Sequence, residues 1–246
     1  MNNISIIIPT YKEKENIFKL TKKILKLYPK TIIFVIDDTE NLNLKNRFKS
    51  NRIKYFLRKN KKGRGSAVLY GLKKSLQPKS NNIFVEMDAD FSHDPKELKK
   101  KIEFFIKNDL DLLISSRYLE NSRIINWSIQ RLIFSKLSNK LAQFLLNVGV
   151  TDYTNGFRIY SRRSVELIVK KCGRIGDGFI VLSEILLIIK LNKFKIKELP
   201  TIFVNRKRGE SSVNFKLIIQ SLIGIVKLYF IKIKNKKWNI LINNFF

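Results

Sequence analysis

The sequence predicts an α/β fold: a mostly parallel central sheet flanked by helices, followed by a C-terminal amphipathic helical segment. Three observations carry this expectation. Short β-rich runs alternate with charged helical stretches through the first half of the chain. The β-rich runs are almost continuously apolar, as strands covered on both faces are. Two of them end in paired acids, and open sheets of this kind bind ligands beyond the carboxyl ends of their strands.

The elements follow in order. "ISIIIPT" (Ile4–Thr10) is an apolar strand ending at a proline, and the amphipathic "KENIFKLTKKILKLY" (Lys14–Tyr28) is its helix. "TIIFVIDD" (Thr31–Asp38) is a second strand, and "RIKYFLR" (Arg52–Arg58) a third. "KKGRGSAVLYGLKKSL" (Lys61–Leu76) reads as a glycine-containing loop entering a helix. "NIFVEMDAD" (Asn82–Asp90) is the fourth strand. The helix "DPKELKKKIEFFIK" (Asp94–Lys107) has Asp94 as its N-cap and Pro95 at its first position. "LDLLISSRY" (Leu110–Tyr118) is the fifth strand. No internal repeat and no low-complexity linker interrupts the order.

A chain of 246 residues with 44% hydrophobic content is long and apolar enough for one large domain or two small ones, and too apolar for disorder. Cys172 is the single cysteine, which excludes an internal disulfide and a cysteine-rich metal module and suits a reducing compartment. The first residues lack the pattern of a secretory leader, so none is expected. The net charge is +29. It has two readings, an affinity for anionic partners or the Lys, Asn, Ile and Phe bias of an AT-rich genome, and charge alone decides neither. Lysines spread along nearly every helix rather than on one face, so nucleic acid is not an expected partner.

Residues from Lys216 to Phe246 carry six lysines and no acids, interleaved with the apolar "LIIQSLIGIVKLYFIKI". Lys227 interrupts the run, so a spanning helix of about 20 apolar residues is not present. An amphipathic helix in an anionic membrane interface fits, with Trp238 near the boundary; a helix packed on the chain's own core is the alternative.

The chemistry concentrates in "VEMDADFSHDP" (Val85–Pro95). Two carboxylates as close as Asp88 and Asp90 stay ionised together when a divalent cation sits beside them. Mg²⁺ or Mn²⁺ takes such oxygen ligands and shares them with substrate phosphates. The calcium loop is a poorer fit, because the stretch lacks the central glycine and has Lys99 where a bidentate Glu is needed. His93, the one histidine, reads as a supporting residue before a ligand.

The ordered motifs "IIIPTYKEKENI", "VIDD", "GRGSAVLYGL", "VEMDADFSHDP", "SSRY", "TDYTNGFRIYSR" and "FVNRKRGESS" resemble the dolichyl-phosphate mannosyltransferases and bacterial polyprenyl-phosphate relatives of glycosyltransferase family 2. The resemblance runs from about Ile4 to Asn214. It implies a GT-A (nucleotide-diphospho-sugar transferase) fold over residues 1–214, with residues 215–246 as the basic membrane-interface segment. It implies that Pro9, Tyr11, Glu13, Ile36 and Asp38 hold the donor's base and ribose. Asp88 and Ala89 would line its diphosphate, Asp90 would be the main metal ligand, and Ser92 occupies a position where some relatives place another. Arg117, Arg131 and Arg206 would handle phosphates, the last from a mobile loop, and Glu184 would orient a substrate or cap a helix.

The implied reaction is inverting transfer of a hexose, mannose by default, from GDP-mannose or a UDP-sugar to a polyprenyl phosphate. The expected place is the cytoplasmic face of a membrane, peripherally bound. An acceptor phosphate is already anionic, so no general base is required. The chain departs from the pattern at three points: Thr39 and the following "ENLNLKN" replace an acidic Gly-Thr loop, Lys12 replaces Asn, and Ser212 replaces a lysine after "GES". A saccharide acceptor, a noncatalytic partner subunit and a basic nucleic-acid-binding protein stay open as other readings.

Overall fold

The computed structural model describes residues 3–40, 44–59, 63–77, 79–205 and 215–243. Its first half follows the expected order: β1 (Asn3–Thr10), α1 (Lys14–Leu27), β2 (Ile32–Asp37), β3 (Ile53–Leu57), α2 (Arg64–Ser75), β4 (Asn81–Glu86), α3 (Leu98–Lys107) and β5 (Leu112–Ser116). Asp94 does cap a helical start, its carboxylate accepting from the backbone N–H of Lys96 at 3.1 Å. The turn it caps, Pro95–Glu97, is a short 3-10 segment that leads into α3. The second half adds β6 (Arg123–Ile125), α4 (Ile129–Leu146), β7 (Arg158–Ser161), α5 (Arg162–Lys171), α6 (Ile180–Leu191), β8 (Ile196–Pro200), β9 (Ile202–Val204) and α7 (Phe215–Asn243).

Seven strands form the central sheet in the order β3-β2-β1-β4-β7-β5-β8, all parallel except β7, which runs antiparallel to both its neighbours. β6 and β9 pair in parallel as a separate two-stranded ribbon. Alternation along each strand sorts the core into two layers. Ile6, Ile8, Ile33, Val35, Ile83 and Val85 face α1 and α3. Ile7, Phe34, Ile36 and Phe84 turn to the opposite face, where α2 and the later helices pack. Gly71 lets α2 lie close, because a Cβ there would meet the Ile7 side chain at 2.5 Å.

α7 packs against α4 and α6, and its Ile225 and Leu228 are buried in the second of these layers. Its Ile223, Val226 and Phe230 stay exposed, so the helix covers the core with one face and leaves an apolar stripe on another. Among the described residues, no helix is long and apolar enough to cross a membrane.

Where β7 enters between β4 and β5, Arg158 has a fully buried side chain. Its guanidinium donates to three main-chain carbonyls: Asn155 at 2.8 Å, Tyr153 at 2.9 Å and Leu182 at 2.8 Å. The arginine thus satisfies a buried loop that has no ladder partner of its own. Arg158→Met removes these donors from three buried acceptors and is expected to lower unfolding free energy by about 3 kcal/mol or more. Urea denaturation checks it, and a loss below about 1 kcal/mol contradicts the assignment.

Candidate active site

The carboxyl ends of β1, β2 and β4 meet along one edge of the sheet, as parallel pairing requires. β1 ends at Pro9 and Thr10, which pair with Ile36 and Asp37 of β2. The next turn is built from two of the departures noted above. Lys12 adopts a left-handed conformation (φ 58°), and its N–H donates to the Thr39 hydroxyl at 2.7 Å. Glu13 accepts from the Asn16 side chain at 2.6 Å and starts α1. The altered loop is therefore still closed across β1 and β2, by a hydroxyl.

The acid pair Asp37–Asp38 divides its work. Asp37 accepts from Tyr55 at 2.9 Å and from the N–H of Thr39 at 2.9 Å, which makes it a local brace. Asp38 is gripped at both oxygens by Arg58, each at 2.6 Å, and Arg58 also reaches Ser66 and the Gly63 carbonyl at the mouth of α2. Ile36 is fully buried in the core beneath α2. Pro9, Tyr11, Glu13, Ile36 and Asp38 thus lie at or just beyond the carboxyl ends of β1 and β2, with Ile36 inside the core.

At the end of β4 the second acid pair also separates. Arg64, the first residue of α2, donates to Asp88 at 2.9 and 2.7 Å and to the buried Glu86 at 2.7 Å. Tyr160 donates to the other oxygen of Glu86 at 2.7 Å. Gly156 makes this possible, since a Cβ at that position would overlap the Arg64 guanidinium. Burial opposes ionisation of Asp88, but the Arg64 guanidinium, with Arg117 further off, holds its carboxyl below the usual carboxylate range. Asp90 lies two positions further along the loop. Its carboxylate accepts from the N–H of Ser92 at 3.0 Å, and among the described residues the buried Ser92 hydroxyl has no hydrogen-bond partner. A carboxylate close to a buried serine hydroxyl is an oxygen donor set that suits a hard divalent cation. Among the described residues, no cluster of three His, Cys, Asp or Glu side chains could hold a metal by itself. Water or substrate oxygens are needed to complete such a site.

Arg117, just past β5, is buried and makes a bidentate pair with Asp152 at 2.8 and 2.8 Å. It also donates to Thr154 at 2.7 Å. Arg131 lies in the first turn of α4, capped by Ser128, and donates to Asn205 at 3.0 Å. Asn205 follows β9, and the N–H of the preceding Val204 donates to the Ser92 carbonyl at 3.0 Å. The β6–β9 ribbon therefore ties the acidic loop to the arginine that starts α4. Arg206 lies outside the described residues, as does the rest of the "RKRGESS" loop with Ser212.

Three functional positions carried no assignment in the sequence reading. Arg64 and the pair Asp152–Asn155 lie inside quoted motifs, but spacing does not reveal that Arg64 reaches back to Asp88. Glu184, inside α6, accepts from the N–H groups of Gly173 at 2.8 Å and Arg174 at 3.2 Å, bracing the loop between α5 and α6. Burial pushes its carboxyl above the usual range.

His93 is 1% exposed and touches Phe157 and Phe203. Asn155 donates its amide to the Ser115 carbonyl, so the amide oxygen is what faces His93. That oxygen must accept from Nε2–H, at 2.9 Å, leaving Nδ1 without a partner among the described residues. Burial, with Arg117 and Lys101, pushes the imidazole down to about 4. The unfolded chain takes up this proton near the ordinary value of about 6.5. Stability from the neutral ring is therefore complete above about 6.5 and is lost as pH falls toward 4, by about 3 kcal/mol in total. His93→Gln removes the titration. The wild-type advantage over this variant is expected to shrink by about 3 kcal/mol between pH 7 and pH 4 in urea unfolding. Parallel pH profiles would show that the ring is protonated in the folded chain.

The sequence profile of glycosyl transferase family 2 matches residues 5–168. A polyprenol monophosphomannose synthase of Mycolicibacterium smegmatis is 31% identical over 231 residues, covering 90% of this chain and 85% of that protein. A dolichol-phosphate mannosyltransferase of Pyrococcus furiosus is 34% identical over 233 residues, covering 92% of this chain and 63% of that longer protein. The solved glucosyl-3-phosphoglycerate synthase of Mycobacterium tuberculosis, in complex with Mn²⁺, UDP-glucose and phosphoglyceric acid, superposes with a TM-score of 0.68 at 15% identity. It covers 93% of this chain and 80% of that one. The architecture is thus the GT-A fold, and the chain belongs to glycosyltransferase family 2.

Proposed function

We propose that the chain transfers a hexose, mannose by default, from a nucleotide sugar to a polyprenyl phosphate at a membrane surface. The observation that carries this reading is the convergence of an acidic donor loop with two arginines, Arg117 and Arg131, joined through the β6–β9 ribbon. The acids around it are committed: Asp38 to Arg58, Asp88 to Arg64 and Asp152 to Arg117. An acceptor that is itself anionic needs no proton removed before it attacks, so arginines in place of a free base are what it requires. The names of the Mycolicibacterium and Pyrococcus relatives support the same acceptor class.

In this reading Pro9, Tyr11, Glu13, Ile36 and Asp38 form the base and ribose side of the crevice, and Asp88 and Ala89 border the diphosphate. Asp90, with Ser92, would hold Mg²⁺ or Mn²⁺, which when bound neutralises charge on the departing diphosphate. The acceptor's phosphate oxygen attacks the anomeric carbon as the bond to the donor diphosphate breaks, which inverts that carbon and releases the nucleoside diphosphate. Arg117 and Arg131, with Arg206 from the loop beyond β9, offset repulsion between the two phosphate groups. GDP-mannose is the default donor and a UDP-sugar the other.

The membrane face is proposed from α4 and α7 together. α4 exposes Ile129, Ile133, Leu137, Leu141 and Phe144 along one side, and α7 adds Ile223, Val226 and Phe230. Neither helix contains an acid; α4 carries Lys136 and Lys140, and α7 carries Lys227, Lys232 and Lys234. Apolar bulk beside lysines matches an anionic lipid surface, with residues 215–246 as the C-terminal part of the contact. Peripheral attachment at a cytoplasmic face follows from this reading.

Purified protein with Mn²⁺ or Mg²⁺, labelled nucleotide sugars and a polyprenyl phosphate is expected to form a lipid-linked sugar. Asp90→Ala is expected to reduce transfer at least about a hundredfold with an unchanged melting temperature. Retained transfer would remove Asp90 from the site, and nucleotide binding without transfer from any donor would favour a noncatalytic partner. In flotation assays the protein is expected to bind vesicles containing anionic lipid and to leave neutral ones, and Leu137→Glu with Phe144→Glu is expected to abolish binding. Undiminished flotation of that double variant would place the membrane contact elsewhere.

A further inference from the structure

Trp127 lies in the link between β6 and α4, and none of the roles above uses it. Its ring centroid is 4.2 Å from the guanidinium carbon of Arg131 and 5.3 Å from that of Arg117. Two like charges from different elements thus share one aromatic ring. Phe203 of β9 packs edge-on against the indole at 5.3 Å and lies 5.5 Å from Arg117, and Tyr118 lies 5.5 Å from the same guanidinium. Among the described residues the buried indole Nε1 has no hydrogen-bond partner.

Two guanidinium groups from different elements meet at this ring. Asp152 neutralises Arg117 at both its oxygens. Arg131 donates to the amide oxygen of Asn205 at 3.0 Å. An aromatic face attracts a guanidinium through its quadrupole and orients its plane, so the indole offsets part of the repulsion and limits where Arg131 can point. The orphaned N–H on the same ring is a further donor beside the pair, and a buried donor without a partner is costly to keep. Both features suit an anion bearing several oxygens.

We propose that Trp127 is a positioning residue that sets Arg117 and Arg131 at the spacing required by one phosphate monoester of the acceptor. The inference rests on the acceptor class proposed above and adds the group that selects it. Trp127 acts on acceptor capture and leaves the donor side, built on Asp88 and Asp90, alone.

Steady-state kinetics with a short isoprenyl phosphate as acceptor tests it. Trp127→Leu is expected to raise the acceptor KM about tenfold with the donor KM unchanged, and Trp127→Phe, which keeps an aromatic face, to restore most of that loss. A Leu variant that shifts donor and acceptor KM alike, or neither, overturns the proposal. A second measurement holds even where that variant does not fold. Trp127 and Trp238 are the two tryptophans, so Trp238→Phe leaves Trp127 as the lone emitter. Its fluorescence is expected to respond saturably to isoprenyl phosphate and to inorganic phosphate, and to ignore isoprenyl alcohol. An unresponsive Trp127 in a protein that still transfers sugar to isoprenyl phosphate overturns the positioning role alone. No response together with no transfer to isoprenyl phosphate from any donor overturns both this inference and the acceptor class beneath it.

Discussion

The site depends on one buried guanidinium. Arg158 carries its charge inside the fold with no carboxylate bonded to it among the described residues, and its donors end on the carbonyls of Tyr153, Asn155 and Leu182. The segment it fixes supplies Asp152, which holds Arg117, and Asn155, which holds His93. Both sides of the crevice therefore take their geometry from a loop that one residue of β7 keeps in place. A lysine could not do the same, because its single nitrogen cannot satisfy three carbonyls in a fixed fork.

Around this hub, charge is settled pairwise before any ligand binds. Arg58 closes on Asp38, Arg64 on Glu86 and Asp88, and Arg117 on Asp152, all in buried or partly buried places. Such pairs gain little net stability, since desolvation cancels much of the attraction. What they provide is a set of oriented donors and acceptors that does not need to reorganise when phosphates arrive. Asp90 instead accepts from the backbone N–H of Ser92, at 3.0 Å, in the loop beyond β4.

Much of this was legible in the chain. Apolar runs of strand length gave the parallel half of the sheet, and the acids at Asp37–Asp38 and Asp88–Asp90 marked its ligand edge, because local pattern is enough to place a strand end. What pattern could not give is which acid does what. Asp37 and Asp38 are neighbours, yet one braces Tyr55 and the other meets Arg58 from a different strand. Arg64 was equally hidden, because its reach to Asp88 spans 24 positions and depends on Gly156 leaving room. β7 is four residues long and runs against its neighbours, so neither a long apolar run nor an alternating strand–helix rhythm announces it. The apolar side of α4 was missed for a related reason: an exposed stripe has the same spacing as a buried one.

The reversed strand also sets an order of assembly. β4 and β5 flank a slot that stays open until residues 158–161 have left the ribosome, although both strands are made well before. Until then each presents an unpaired edge, the kind that pairs readily with another chain. β3, β2, β1 and β4 can zip together early from neighbouring segments, whereas the acceptor side must wait for a distant piece to arrive and turn back. Nascent chains stalled before Arg158 are therefore the species most exposed to misassembly, and the strand that completes the crevice is also the one that ends that exposure.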